Sequence, residues 1–214
     1  MKLTKAKKSI CAVFSLACLI CSASAYSTSS AISYSDKYAL SINGKPITGG
    51  YNDYGGSDCT NYVSQCVFAG GLAQDSIWYS KLQTSGSGAG TWRNDSTAWT
   101  LADGFKNYLK NNNKATKIGG WSQSGQYGTN KYQDNSANLT SSNAGKTVLF
   151  YDWGGEGTMN HAAFFVKNNA KSEDSQDGGA TGDLINQHSG FRKHAIWHGD
   201  KRNEDRKTTE IYAF

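Results

Sequence analysis

In the run Cys59-Thr-Asn-Tyr-Val-Ser-Gln-Cys66-Val-Phe-Ala69, apolar side chains fall at 59, 62, 63, 66 and 67, the spacing of one helix face. Asp58 precedes it where an N-cap belongs, and Gly70-Gly71 follows as a stop. Tyr34, Tyr38 and Ile42, four apart, predict a shorter helix within 26 to about 45. Trp99, Ala102, Phe105, Tyr108 and Leu109 share one side of a further helix predicted over about 96–109. Residues 111–142 are polar and glycine-rich and read as long surface loops. Beyond them the pattern changes. Runs at 147–151, 161–166, 184–188 and 210–214 are rich in β-branched and aromatic residues and are divided by Gly and Asp clusters, as strands are. The polar segment 167–182 reads as a hairpin tip. Helices first and strands afterwards predict one α+β domain over 26–214, with an antiparallel sheet.

The start of the chain follows another pattern. Lys2, Lys5, Lys7 and Lys8 precede an apolar run from Ile10 to Ile20, which ends in Ser22-Ala-Ser-Ala25. This is the form of a secretory signal peptide over 1–25, cleaved before Tyr26. The apolar run falls well short of the roughly 20 residues that span a bilayer, so the mature chain is expected to be secreted, with no membrane association. The signal segment also changes the charge. The 214-residue chain carries a formal +5, but without those four lysines 18 basic residues stand against 17 acidic ones, a net of +1. No basic field remains to attract nucleic acid. An aromatic content of 12% allows a packed core, and 24 glycines with a single proline suit a loop-rich domain.

Cleavage also removes Cys11, Cys18 and Cys21 and leaves Cys59 and Cys66. Seven residues apart in one helix, these lie about 10.5 Å apart along its axis. A disulfide tolerates Cα separations only to about 7 Å, so two free thiols are expected. Cys59 occupies the first turn, where the macrodipole and open N–H groups favour a thiolate and can help hold an oxyanion. A small buried hydrophobe is the other reading of the same position. Cys66, two turns deeper, reads as core.

A thiol nucleophile needs a base. His161 opens a predicted strand just after the turn Trp153-Gly-Gly-Glu-Gly157. His188 closes the next strand, Leu184-Ile-Asn-Gln-His188. Alternation puts Asn186 and His188 on one face and Gln187 on the other, so His188 and Asn186 are the two candidates to orient His161. His194 and His198, four apart, would share a helix face, but no Glu accompanies them as in His-Glu-x-x-His, and no metal site is assigned. The charges around them read as a solvated face. No phosphate loop or dinucleotide fingerprint is present, and no cofactor is expected.

The run Asp58-Cys59-Thr-Asn-Tyr-Val-Ser-Gln-Cys66, followed by Ala69-Gly-Gly71, resembles the signature of the bacterial putative amidase domain family. Trp78-Tyr79, Ser96-Thr-Ala-Trp99, the strand led by His161 and Gln187-His188-Ser189 agree in order, so the resemblance covers about 30–200. That family is similar to papain-like cell-wall hydrolases of the NlpC and CHAP types. The resemblance implies a nucleophile helix packed on an antiparallel sheet, Cys59 as nucleophile, His161 as base and His188 as orienting residue, with Asp58 flanking the nucleophile as N-cap or at the oxyanion site. It departs at Gly145-Lys146, where Gly-Asp is expected, and in the long polar segment after Val166. The activity implied is a thiol hydrolase of amide bonds. The substrate implied is peptidoglycan, at a stem-peptide bond or at the muramoyl–L-alanine link. Two other readings stand beside it: a non-catalytic glycan-binding module, suited by the many Tyr, Trp and Gly, and a papain-like protease or acyltransferase acting on proteins.

Overall fold

The computed structural model describes residues 25–122, 139–197 and 208–214. The signal segment read over 1–25 lies, but for Ala25, outside the described residues, as do His198 and much of the predicted loop region at 123–138. Among the described residues, four α-helices, α1 (Thr28–Tyr38), α2 (Cys59–Ala69), α3 (Thr97–Thr100) and α4 (Ala102–Asn111), precede most of the strands. A two-stranded hairpin, β1 (Ser80–Leu82) and β2 (Arg93–Asp95), lies between α2 and α3. The main sheet holds β3 (Thr116–Ser122), β4 (Thr147–Asp152), β5 (His161–Lys171), β6 (Thr181–Gln187), β7 (Arg192–Ile196) and β8 (Thr208–Ala213), in the order β3-β8-β4-β5-β6-β7. Every pairing is antiparallel. The fold is therefore mixed α+β with an antiparallel sheet.

Alternation divides the sheet's side chains between two apolar layers. Val148, Phe150, Ala162, Phe164 and Val166 face the helices, and Leu149, Tyr151, Ala163 and Phe165 pack into a second cluster with Ile185, Trp197 and Ile211. Burial on both faces explains why β4 and the first half of β5 read as unbroken apolar runs.

Helix α2 is the hub, packed on α1, α3, β5 and β6, with every residue from Cys59 to Val67 buried. Its polar side chains are therefore matched one by one. The Trp99 indole N–H donates to Asn61 Oδ1 at 2.8 Å, and the Trp78 indole N–H donates to Ser64 Oγ at 3.2 Å. Ser64 in turn donates to the Trp99 carbonyl at 2.9 Å, and Tyr34 Oη donates to Gln65 Oε1 at 2.6 Å. The Trp78 and Trp99 rings sit 4.6 Å apart beneath the helix. This is the physical reason that Trp78 and Trp99 accompany the Asp58–Cys66 motif in the sequence: they complete hydrogen bonds that a buried helix cannot leave open.

Several expectations change. The first helix ends at Tyr38, before Ile42. The helix predicted over 96–109 is two, because Leu101 is extended (φ −109°, ψ 132°) and separates α3 from α4. The two cross so closely that a Cβ at Gly104 would come within 2.7 Å of the Thr97 carbonyl oxygen. Within the predicted loop region, β3 is a strand; its Gly119-Gly120 pair hides the β pattern, and pairing with β8 forms it. His194 belongs to a strand, β7, so the helical spacing of His194 and His198 does not apply.

Candidate active site

Tyr51–Ser57 runs into α2 through a 3-10 turn at Gly55–Ser57, with Gly55 at φ 57°, a value that favours glycine. Asp58 holds the N-cap position but does not cap with its side chain. Its Oδ1 accepts from the Asn61 amide (2.8 Å) and from the Tyr54 N–H (3.3 Å), while Oδ2 lies 2.6 Å from His188 Nδ1. Tyr62 is the first residue of the helix whose N–H is taken by the Asp58 carbonyl, at 2.9 Å. The N–H groups before it have no intrahelical acceptor, which makes the Cys59 end of α2 attractive to negative charge.

Cys59 and His161 meet where the start of α2 abuts the start of β5, and each is almost buried. Burial pushes the Cys59 thiol up. The His161 imidazole, by hydrogen bond and by charge, the Ala162 backbone N–H and the Thr60 hydroxyl outweigh that and bring it to about 7. Burial pushes the Cys66 thiol well up, with nothing of comparable strength to oppose it. Both cysteines are free. Alkylation by iodoacetamide is therefore expected to label Cys59 with a rate that rises through about pH 7 and to leave Cys66 unlabelled in the folded protein. Peptide mapping by mass spectrometry reads this directly, and equal labelling of the two thiols would refute the difference.

The His161 ring is fixed on three sides. It stacks on Tyr151 (centroids 5.4 Å apart, 15° between planes), Trp153 lies 6.0 Å away, and Nε2 is 3.2 Å from Gln187 Oε1. The amide oxygen can only accept, so Nε2 carries the proton and Nδ1 is the nitrogen left to exchange one with the thiol. Sequence reasoning set Gln187 aside for His188 and Asn186. The register explains why it is Gln187: Phe164 faces Asn186, so His161 shares its side of the sheet with positions 187 and 189. Alternation along β6 was correct; what the sequence lacks is the phase of β6 against β5. One neutral hydrogen bond of this kind contributes about 1 kcal/mol, so Gln187→Ala is expected to lower kcat roughly five- to tenfold with KM little changed. A Gln187→Glu variant that restores the acceptor and most of the rate would support an orienting role; equal loss in both would oppose it.

His188 and Asn186 point to the helix side, away from His161. His188 Nε2–H donates to the Tyr38 carbonyl (2.8 Å), and one further proton joins Nδ1 to the Asp58 carboxylate. The ring lies between Tyr62 (4.0 Å) and Phe191 (4.7 Å), and its side chain and that of Asp58 are 2% and 1% exposed. Asn186 donates to Ser35 and Asp36 and accepts from the His194 N–H. His194 Nε2 is 2.8 Å from Asp36 and Nδ1 is 2.7 Å from Glu173; the hydrogen bond to Asp36 is the largest of the effects that raise its pKa. These groups tie α1 to the β6–β7 turn. Among the described residues, no cluster of three or more His, Cys, Asp or Glu is arranged to hold a metal ion.

Cys59, His161 and Gln187 line a cleft of about 790 Å³, with Leu101, Ala102 and Met159 among its apolar residues. The glycine-rich turn forms one rim. The Asp152 carboxylate gathers it by accepting from the N–H groups of Gly155 (2.7 Å), Glu156 (3.2 Å) and Gly157 (2.9 Å), which sets Trp153 beside His161. A buried thiol with a lowered pKa, a tautomer-fixed imidazole and an open helix end, all on one cleft, can together attack a carbonyl and protonate its leaving group.

The model of the putative amidase domain family matches residues 25–212, so the chain belongs to that family. No curated protein and no solved structure matches it.

Proposed function

We propose that this member of the putative amidase domain family is a secreted, thiol-dependent hydrolase of papain-like design that cleaves an amide bond of peptidoglycan. The observation that carries the reading is the Cys59 thiol, brought to about 7 by His161 at the head of a buried helix. His161 Nδ1 takes the thiol proton, and Cys59 Sγ attacks the amide carbonyl. The Cys59 N–H, at the open end of α2, receives the developing oxyanion. His161 then delivers its proton to the leaving nitrogen, the C–N bond breaks and an acyl-enzyme thioester remains. Water, deprotonated by His161, releases the acid and restores the thiol.

The wall substrate is what the resemblance to cell-wall hydrolases implies, and the export signal read over 1–25 and a cleft roomy enough for a polymer segment support it. Purified peptidoglycan incubated with the mature protein should release soluble fragments whose masses name the bond, and the Cys59→Ala protein should release none. Sedimentation of both proteins with the wall, without fragments from either, would favour the glycan-binding module. Turnover of protein substrates but not of wall would favour the protease or acyltransferase reading.

A further inference from the structure

A second recess, of about 290 Å³, adjoins the cleft and is lined in part by Trp153, Gln176, Gln187, Ser189, Arg192 and Trp197. Trp153, Gln187 and Ser189 line both cavities, whereas Cys59 lines only the cleft. Going from Cys59 through His161 to its partner Gln187, the recess lies beyond the far end. Chemistry gives that direction a meaning. His161 protonates the amide nitrogen, so whatever that nitrogen carries extends past His161, away from the thiol.

Ser189 adds an independent observation. Its Oγ is buried and has no hydrogen-bond partner among the described residues, and its backbone sits at φ 59°, a conformation that costs a non-glycine residue free energy. A buried hydroxyl held this way, where two cavities meet, is placed for a polar group that enters with a ligand. The Arg192 guanidinium on the recess wall is already bound by Asp174 (2.6 Å) and Asp177 (2.7 Å), which leaves it little attraction for an acidic leaving group. Amides and hydroxyls suit the remaining polar groups, Gln176, Gln187 and Ser189.

We propose that this recess is the leaving-side subsite: it takes an uncharged, amide-bearing residue attached to the scissile nitrogen and makes the protein selective for substituted, peptide-type amides over simple ones. The assignment rests on the Cys59–His161 reading above.

Acyl transfer tests it, because an amine that binds the recess should compete with water for the acyl-enzyme. Its nitrogen attacks the thioester carbonyl, the C–S bond breaks and the displaced proton passes through His161 to restore the thiol. With peptidoglycan fragments as acyl donor, glycinamide and glycyl-alaninamide are compared at equal concentrations of free base, and the products are counted by mass spectrometry. The dipeptide amide is expected to be captured about tenfold better, the discrimination one good pocket contact supports. Gln176→Trp, which narrows the recess from an exposed position, should abolish the preference, and an unchanged alkylation rate of Cys59 in that variant shows that the thiol and its base are intact. Fragment release that depends on Cys59, with equal capture of the two amines or capture of neither, overturns the subsite alone. Absence of Cys59-dependent release removes the nucleophile reading, and the subsite assignment falls with it.

Discussion

Cys59→Ala and His161→Ala are each expected to lower amide turnover by about a thousandfold or more, and the double variant should be hardly worse than either single one. In the proposed mechanism the thiol supplies the bond-forming electrons, and the imidazole both lowers its pKa and carries the proton, so either loss disables the same step. The pH profile follows from the same contact. The reactive form is the thiolate, whose folded pKa is lowered to about 7, so the rate should rise through about pH 7 and fall below it. In His161→Ala the main lowering influence is gone and burial is opposed only by the Ala162 N–H and the Thr60 hydroxyl, so the alkylation rate of Cys59 should shift to higher pH. Steady-state kinetics and the alkylation profile check the two halves separately. A His161→Ala protein that keeps the wild-type alkylation profile would mean that something else activates the thiol.

His188→Ala is expected to destabilise the fold by about 3–5 kcal/mol, because it leaves the Asp58 carboxylate buried and without its hydrogen-bond partner at Oδ2. At about 2–4 °C of Tm per kcal/mol for a chain of this size, thermal unfolding should come roughly 6–20 °C earlier. Asp58→Ala should cost a similar amount, and the double variant less than the sum of the two, since each single change strands the other's buried polar group. At temperatures where the variants remain folded, the Cys59 alkylation profile should stay near that of the wild type, because the His188 ring faces Tyr38 and Asp58 rather than His161. A His188→Ala protein of unchanged Tm that has lost activity would reverse this assignment and restore His188 as the residue that orients the base.

The contrast between Gln187 and His188 shows where sequence reasoning reached and where it stopped. The α2 boundaries were legible because three signals agree: the apolar stripe, the residue at 58 and the glycine pair at 70–71. The β4 and β5 strands were legible because they are buried on both faces. The places of Cys59 at the start of α2 and of His161 at the start of β5 were legible too. Three things were not legible. Strand phase is set by tertiary contact, so Gln187 could not be told from its neighbours. The role of Asp58 as a buried partner of His188 depends on two segments 130 positions apart in the chain. Strands β3 and β7 have too little apolar alternation to show themselves; β3 carries adjacent glycines, and β7 carries Arg192, Lys193 and His194, of which Arg192 is bound by Asp174 and Asp177 and His194 lies against Asp36 and Glu173.

The position of β8 in the sheet has a consequence in time. It is the last strand in the chain, yet it lies between β3 and β4 and pairs with both. Until residues 208–213 are in hand, β3 lacks the neighbour it has among the described residues, and β4, the strand that carries Tyr151 against His161, has an open flank. Without residues 208–213 α2 can still form from local sequence, but the sheet that carries His161 stays open at its β4 flank. Such a topology, dominated by pairings distant in sequence, also folds slowly. On the function proposed above, the Cys59–His161 pair therefore rests on a sheet whose central pairings form only when segments distant in sequence meet.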